Sequence, residues 1–132
     1  MSARSTTVKF NNTTSETLTL TDANLSHGVW SRNLYPPKTI APKSSATWMS
    51  ESDGFMTGTE GTVTYLSSKG NVTIHWDNPY VGSNSYSDSA PSGFVMSRTG
   101  GDGDNATVSF TFESSKNLKT TSFAASEANA VH

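Results

Sequence analysis

Apolar residues recur at every second position in a series of short stretches along this chain, the mark of strands that bury one face. The clearest is at residues 72–76, where Val72, Ile74 and Trp76 point one way and Thr73 and His75 the other. Directly after it the character changes, because Asp77-Asn78-Pro79 and Gly82-Ser83-Asn84 are turn formers. Tyr80 and Val81 stand between them, apolar residues that a solvated loop does not need. A stiff strand thus delivers an aromatic-bearing loop to one end of the molecule, and this pairing is expected to carry function.

The same period appears elsewhere. Residues 6–11 alternate through Val8 and Phe10, and residues 17–21 through Leu18 and Leu20. The Asn-Thr-Ser cluster between them predicts a first hairpin. Residues 22–43 are interrupted by Gly28, Pro36, Pro37 and Pro42, leaving a short strand near 29–31 and an edge segment at 39–40. Residues 45–51 alternate through Ala46 and Trp48, and 51–61 read as a glycine-punctuated loop. Val63 and Tyr65 share a face in 62–66, and the turn 67–71 joins that strand to 72–76 in the plainest hairpin of the chain. A last hairpin pairs 93–99 with 107–113, whose Val108, Phe110 and Phe112 form a core-facing row. Eight or nine strands are expected over 1–113, followed by a loosely structured tail at 114–132 that lacks sustained periodicity.

Composition supports this reading. The chain has 132 residues, enough for one domain burying roughly two-thirds of its unfolded surface. It is rich in Thr and Ser and only 33% apolar, which suits a two-sheet core with hydroxylated outer faces. The fold class is therefore all-β. A net charge of −2 provides no basic patch for nucleic acid or for a polybasic membrane anchor. There is no cysteine, so neither disulfides nor thiolate chemistry enter. No stretch approaches the ~20 apolar residues of a membrane helix. The polar start of the chain lacks the apolar run of a secretion signal. Synthesis in a cytoplasm, with exit by another route, is the expectation.

Catalytic signals are weak, and the protein is expected to be no enzyme, with no metal and no cofactor. His27, His75 and His132 are far apart and none has a metal-ligand spacing. His75 and Asp77 share a strand face and could hydrogen-bond, as surface pairs do. No GxSxG elbow is present. Residues 100–105, GGDGDN, resemble half of a calcium-binding nonapeptide that works only when stacked. A wide turn explains these glycines. The N-x-S/T sequons at Asn11, Asn12, Asn24, Asn71 and Asn105 follow from a chain full of Asn, Ser and Thr.

The aromatic residues remain as candidates for binding. Trp30, Trp48 and Trp76 lie on strand-like segments, where core packing competes with display; Phe55, Tyr80 and Tyr86 lie in predicted loops. Amphipathic rings in loops suit membrane interfaces, glycans and protein partners. The candidate membrane-, lipid- or partner-binding residues are Trp76, Tyr80, Tyr86, Trp30 and Phe55. Three rings burying ~100 Å² each would contribute about 7 kcal/mol, of the order of the cost of association. Tight attachment then needs a recognised head group, a homo-oligomer, or a second protein adding avidity.

The opening Met1-Ser2-Ala3-Arg4, the loop 51–62 (ESDGFMTGTEGT) and the loop 77–86 (DNPYVGSNSY) closely resemble the aegerolysin family. Within it they look most like the small subunits of Bacillus binary insecticidal crystal toxins. The likeness runs from Met1 to about Glu113. Where fungal members tend to show Cys and Trp, this chain has Asn78 and Tyr80. The resemblance implies an actinoporin-like antiparallel β-sandwich without enzymatic activity. It also implies binding to a target-cell membrane lipid or receptor, often in sphingolipid-containing membranes. The further implied partner is a larger pore-forming protein, aerolysin-like or perforin-like. By the same resemblance the protein is made in a bacterial cytoplasm, as an inclusion or crystal, and acts outside the cell. A lectin-like carbohydrate-binding module and a stand-alone haemolysin-like pore-former are the alternatives.

Overall fold

The computed structural model describes residues 2–116, which form ten strands. These are β1 (Ser5–Asn12), β2 (Leu18–His27), β3 (Val29–Trp30), β4 (Thr39–Ile40) and β5 (Ser44–Glu51). They continue as β6 (Thr59–Ser67), β7 (Gly70–Asn78), β8 (Ser85–Ser89), β9 (Phe94–Gly100) and β10 (Asn105–Ser114). Two five-stranded sheets face each other, in the orders β3-β5-β1-β10-β9 and β4-β2-β6-β7-β8. Every pairing is antiparallel except β1 with β10, which run parallel. Among the described residues no helix is long and apolar enough to cross a membrane.

The period of two places the core. Val8, Phe10, Trp48, Val108, Phe110 and Phe112 point inward from one sheet; Leu18, Ile40, Val63, Tyr65, Val72, Ile74 and Trp76 point inward from the other. Phe10 sits at the centre, its ring 6.2–6.4 Å from those of Trp48, Tyr65 and Phe112. Of the three buried polar side-chain atoms on these residues, those of Tyr65 and Trp76 have partners, whereas Trp48 Nε1 is buried without one. Tyr65 donates its hydroxyl to the Pro37 carbonyl at 2.6 Å, and burial pushes its phenol well above the ordinary tyrosine range. Trp76 Nε1 donates to Ser50 Oγ at 2.9 Å, and that hydroxyl meets Thr59 Oγ1 at 2.7 Å.

Several expectations are corrected. The predicted hairpin at 6–21 does not form, because β1 and β2 belong to different sheets. β1 pairs with β5 and β10 instead, and the chain crosses between sheets at 13–17. Asn12 pins that crossing: its amide donates to Glu16 O and Ala41 O, and its carbonyl oxygen accepts from Thr14. β8 was not foreseen, since SYSDS offers a single apolar position. β2 continues to His27 through two register irregularities that erase its alternation. The hairpins β6–β7 and β9–β10 and the edge strand at Thr39–Ile40 form as expected. The tail assigned to 114–132 lies, from residue 117 on, outside the described residues.

Replacing Trp76 with Ala is expected to lower the unfolding free energy by about 3–5 kcal/mol, measured by denaturant titration. Ser50→Ala, which leaves the indole N–H buried without its acceptor, should cost about 1–3 kcal/mol. A Trp76→Ala protein as stable as the parent would contradict this account of the core.

Candidate functional site

One end of the sandwich gathers the start of β1, the end of β7 and the loops 52–58, 79–84 and 101–104. β7 closes with Asn78, whose buried side chain donates to the Ser5 carbonyl and to the Asp104 carbonyl, both at 2.9 Å. The last residue of the strand in one sheet is thereby tied to the first turns of two strands in the other. Loop 52–58 lies flat against 79–80. Gly58 makes this possible, because a Cβ there would meet Asn78 O at 2.5 Å and Tyr80 N at 2.9 Å.

Arg4 fastens the loops from beneath. Its Nη2 donates to the Tyr80 carbonyl at 2.7 Å, and its Cζ lies 4.5 Å from the centre of the Tyr80 ring. Its Nε is 3.6 Å from Asp104 Oδ1, so the guanidinium charge has a carboxylate beside it. The backbone of Arg4 also exchanges hydrogen bonds with Ser52, through Ser52 N–H to Arg4 O and Arg4 N–H to Ser52 Oγ. One side chain and its own peptide groups hold loops 52–58, 79–84 and 101–104 together.

Between loops 52–58 and 79–84 lies a cleft of about 390 Å³, lined by His27, Met56, Thr57, Gly58, Thr59, Glu60, Asp77, Pro79 and Tyr80. Its floor is ionic, and the loops that flank it carry exposed apolar side chains. Phe55 is 89% exposed, Val81 83% and Met56 55%, with Phe55 and Met56 on one loop and Val81 on the other. On the floor, register places Glu60 directly between His27 on β2 and Asp77 on β7. Glu60 Oε2 is 2.9 Å from His75 Nε2, and its Oε1 is 3.8 Å from His27 Nε2. Burial pushes the Asp77 carboxyl above the ordinary aspartate range, and the neighbouring Glu60 carboxylate adds to the shift. Among the described residues no group of His, Asp and Glu is arranged to hold a metal ion.

The predicted site residues separate. Tyr80 lines the cleft; Phe55, the neighbour in sequence of the lining residue Met56, is exposed and is not part of the lining. Trp76 has no exposed surface and belongs to the core, since its position on the Val72–Ile74 face turns it inward. Tyr86 is on β8 and half-buried. It donates its hydroxyl to the Gly101 carbonyl at 2.7 Å, stacks edge-on with Phe110 and carries Arg98 above its ring. Tyr86 therefore closes the seam between the two sheets. Trp30, on β3, packs edge-on against Tyr35 and Trp76, away from the cleft lining. His75, which shares a strand face with Asp77, makes its hydrogen bond to Glu60 on the neighbouring strand. Arg4, Glu60, His27, Met56 and Val81 were not among the predicted site residues. For Glu60 a signal existed: the tight turn at 68–69 sets a register that brings Glu60 opposite Asp77.

The chain is similar to known proteins over most of its length. A stretch of 103 residues is 35% identical to an uncharacterized protein of Dictyostelium discoideum, covering 76% of this chain. This chain spans 9% of that relative's length. The fold is similar to that of the lipid binding protein Nakanori, with TM-score 0.78, 13% identity, and coverage of 86% of this chain and 72% of that one. It is also similar to the Xerocomus chrysenteron lectin XCL, with TM-score 0.57, 14% identity, and coverage of 86% and 99%. The family model for aegerolysins matches residues 3–92, a span that runs through Arg4, both cleft loops and the strands beneath them. This chain belongs to the aegerolysin family.

Proposed function

We propose that this protein is a non-enzymatic membrane-binding component that seats its cleft end on a target-cell surface. The observation that carries the reading is the pairing of exposed apolar tips, Phe55, Met56 and Val81, with a cleft that has carboxylates on its floor. Inserting three such side chains at ~100 Å² apiece contributes about 7 kcal/mol, of the order of what association and loop ordering cost. The tips alone therefore hold weakly, and the cleft supplies the rest. Glu60 and Asp77 beside the Tyr80 ring suit an ammonium-bearing head group, and the Arg4 guanidinium that holds Tyr80 has Asp104 beside it.

Family membership supports lipid binding, and the fold shared with a lipid binding protein is consistent with it. We extend the proposal to a binary toxin, in which this chain marks the membrane and a larger pore-forming protein, aerolysin-like or perforin-like, permeabilises it. The motifs at 51–62 and 77–86 support an insecticidal role of the Bacillus small-subunit kind. In that reading the chain is made in a bacterial cytoplasm and acts outside the cell on midgut membranes.

The double variant Phe55→Ser, Val81→Ser should keep the melting temperature of the parent and lose at least about tenfold in affinity for lipid vesicles, since two apolar tips are removed. Unchanged vesicle binding would remove this end from the membrane contact. Strong binding on a glycan array with none to vesicles would replace the reading with a lectin-like module.

Dye-loaded vesicles should stay intact with this protein alone and leak once a larger pore-forming partner is added. Leakage caused by the chain alone would instead identify a stand-alone pore-former.

A further inference from the structure

The floor of the cleft is a row of ionisable side chains on three neighbouring strands. His27 on β2, Glu60 on β6 and Asp77 on β7 are direct cross-strand neighbours, and His75 reaches Glu60 from two positions along β7. The surrounding elements add little charge. β8 presents Ser85 and Ser87 opposite Asp77 and His75. Loop 79–84 contributes Pro79 and Tyr80 to the lining, and loop 52–58 contributes Met56, Thr57 and Gly58, with Asp53 as its ionisable residue on the exposed side. The lining thus holds two carboxylates and the His27 imidazole, with His75 against Glu60 outside the lining and the Arg4 guanidinium against Tyr80 with the Asp104 carboxylate beside it.

Resting on the membrane reading above, we propose that the His27–Glu60–His75–Asp77 cluster is a proton-operated release, so that the cleft holds an ammonium head group at neutral pH and lets it go in acid. With both imidazoles neutral, Glu60 and Asp77 leave the floor negative, and a cation is attracted. Histidine is the side chain that changes charge between pH 5 and 8. Once both rings carry a proton, two imidazolium charges offset the two carboxylates. Protonation also strengthens the contact that His75 Nε2 already makes with Glu60 Oε2 at 2.9 Å and adds a second positive charge 3.8 Å from Oε1, so less of the carboxylate's charge is offered to a ligand. The upward shift of the Asp77 carboxyl acts in the same direction, because a carboxyl that takes up its proton earlier loses its negative charge earlier as pH falls. The apolar tips Phe55, Met56 and Val81 do not titrate, so their insertion has no pH response of its own.

The test is binding to vesicles of phosphatidylcholine and sphingomyelin, whose head groups end in trimethylammonium, at about pH 7.5 and about pH 5.5. Affinity should be about tenfold higher at the neutral value, the scale expected when a partly exposed site loses its net charge. In the double variant His27→Gln, His75→Gln the ratio between the two pH values should collapse toward one. Phosphatidylglycerol vesicles carry no ammonium, and binding to them should hold or rise in acid. Equal or stronger binding of the parent protein to the trimethylammonium vesicles in acid overturns this inference and leaves the membrane reading standing. So does a full pH response in the double variant, or a parallel fall on phosphatidylglycerol. Loss of the near-UV circular dichroism signal at the acid value overturns it too, because the response would then belong to unfolding. No binding to any vesicle at either pH overturns the membrane reading itself and this inference with it.

Discussion

A single buried amide spans the two sheets where function is proposed. Asn78 ends β7 in one layer and donates both of its N–H groups to carbonyls at the start of β1 and β10 in the other. Two strand ends that would otherwise fray are joined through a side chain that is itself buried, where leaving a donor unmet is costly. Pro79 and Tyr80 follow immediately, so the direction in which the loop leaves the sandwich is fixed at its root. Arg4 then holds the Tyr80 carbonyl and ring from the side. The cleft is the space that remains once these two residues have placed their loops, with Gly58 admitting the third wall.

Much of the architecture was legible in the alternation of apolar residues, because a sandwich core needs little else. Val8, Phe10, Val63, Tyr65, Val72, Ile74, Val108, Phe110 and Phe112 all turn inward as their period requires. What alternation does not encode is the partner of each strand. β1 looked like half of a hairpin because a turn-rich stretch followed it, yet that stretch is a corner between layers and both partners of β1 come from far along the chain. Nor does alternation reveal strands held mainly by backbone pairing. β8, with one inward ring at Tyr86, exists because β7 offers it an open edge.

The site was legible to a lesser degree, for a related reason. Loop-borne rings announce themselves: Tyr80 lines the cleft, and Phe55 is exposed next to the lining residue Met56. Trp76 shares the inward face of Val72 and Ile74, so the same periodicity that defined its strand already argued for burial. Charged members of the site depend on register. Glu60 and Asp77 are separated by a hairpin, and counting outward from its turn places them side by side; His27 meets them only through a strand whose irregular register no count would have followed. Arg4 is beyond any local pattern, since its contacts lie on loops about 50, 76 and 100 residues away.

The parallel pairing of β1 with β10 also has a consequence in time. The first of the described strands is flanked by the last of them, so one side of β1 waits without its neighbour until nearly all the described chain has left the ribosome. β5 can satisfy the other side earlier, which leaves a half-built layer with an open backbone edge. Such an edge can be filled by β10 of the same molecule or by the equivalent strand of a neighbour. At high local concentration the second choice becomes competitive, and newly made molecules would then interlock by exchanging their final strands before each has closed on itself.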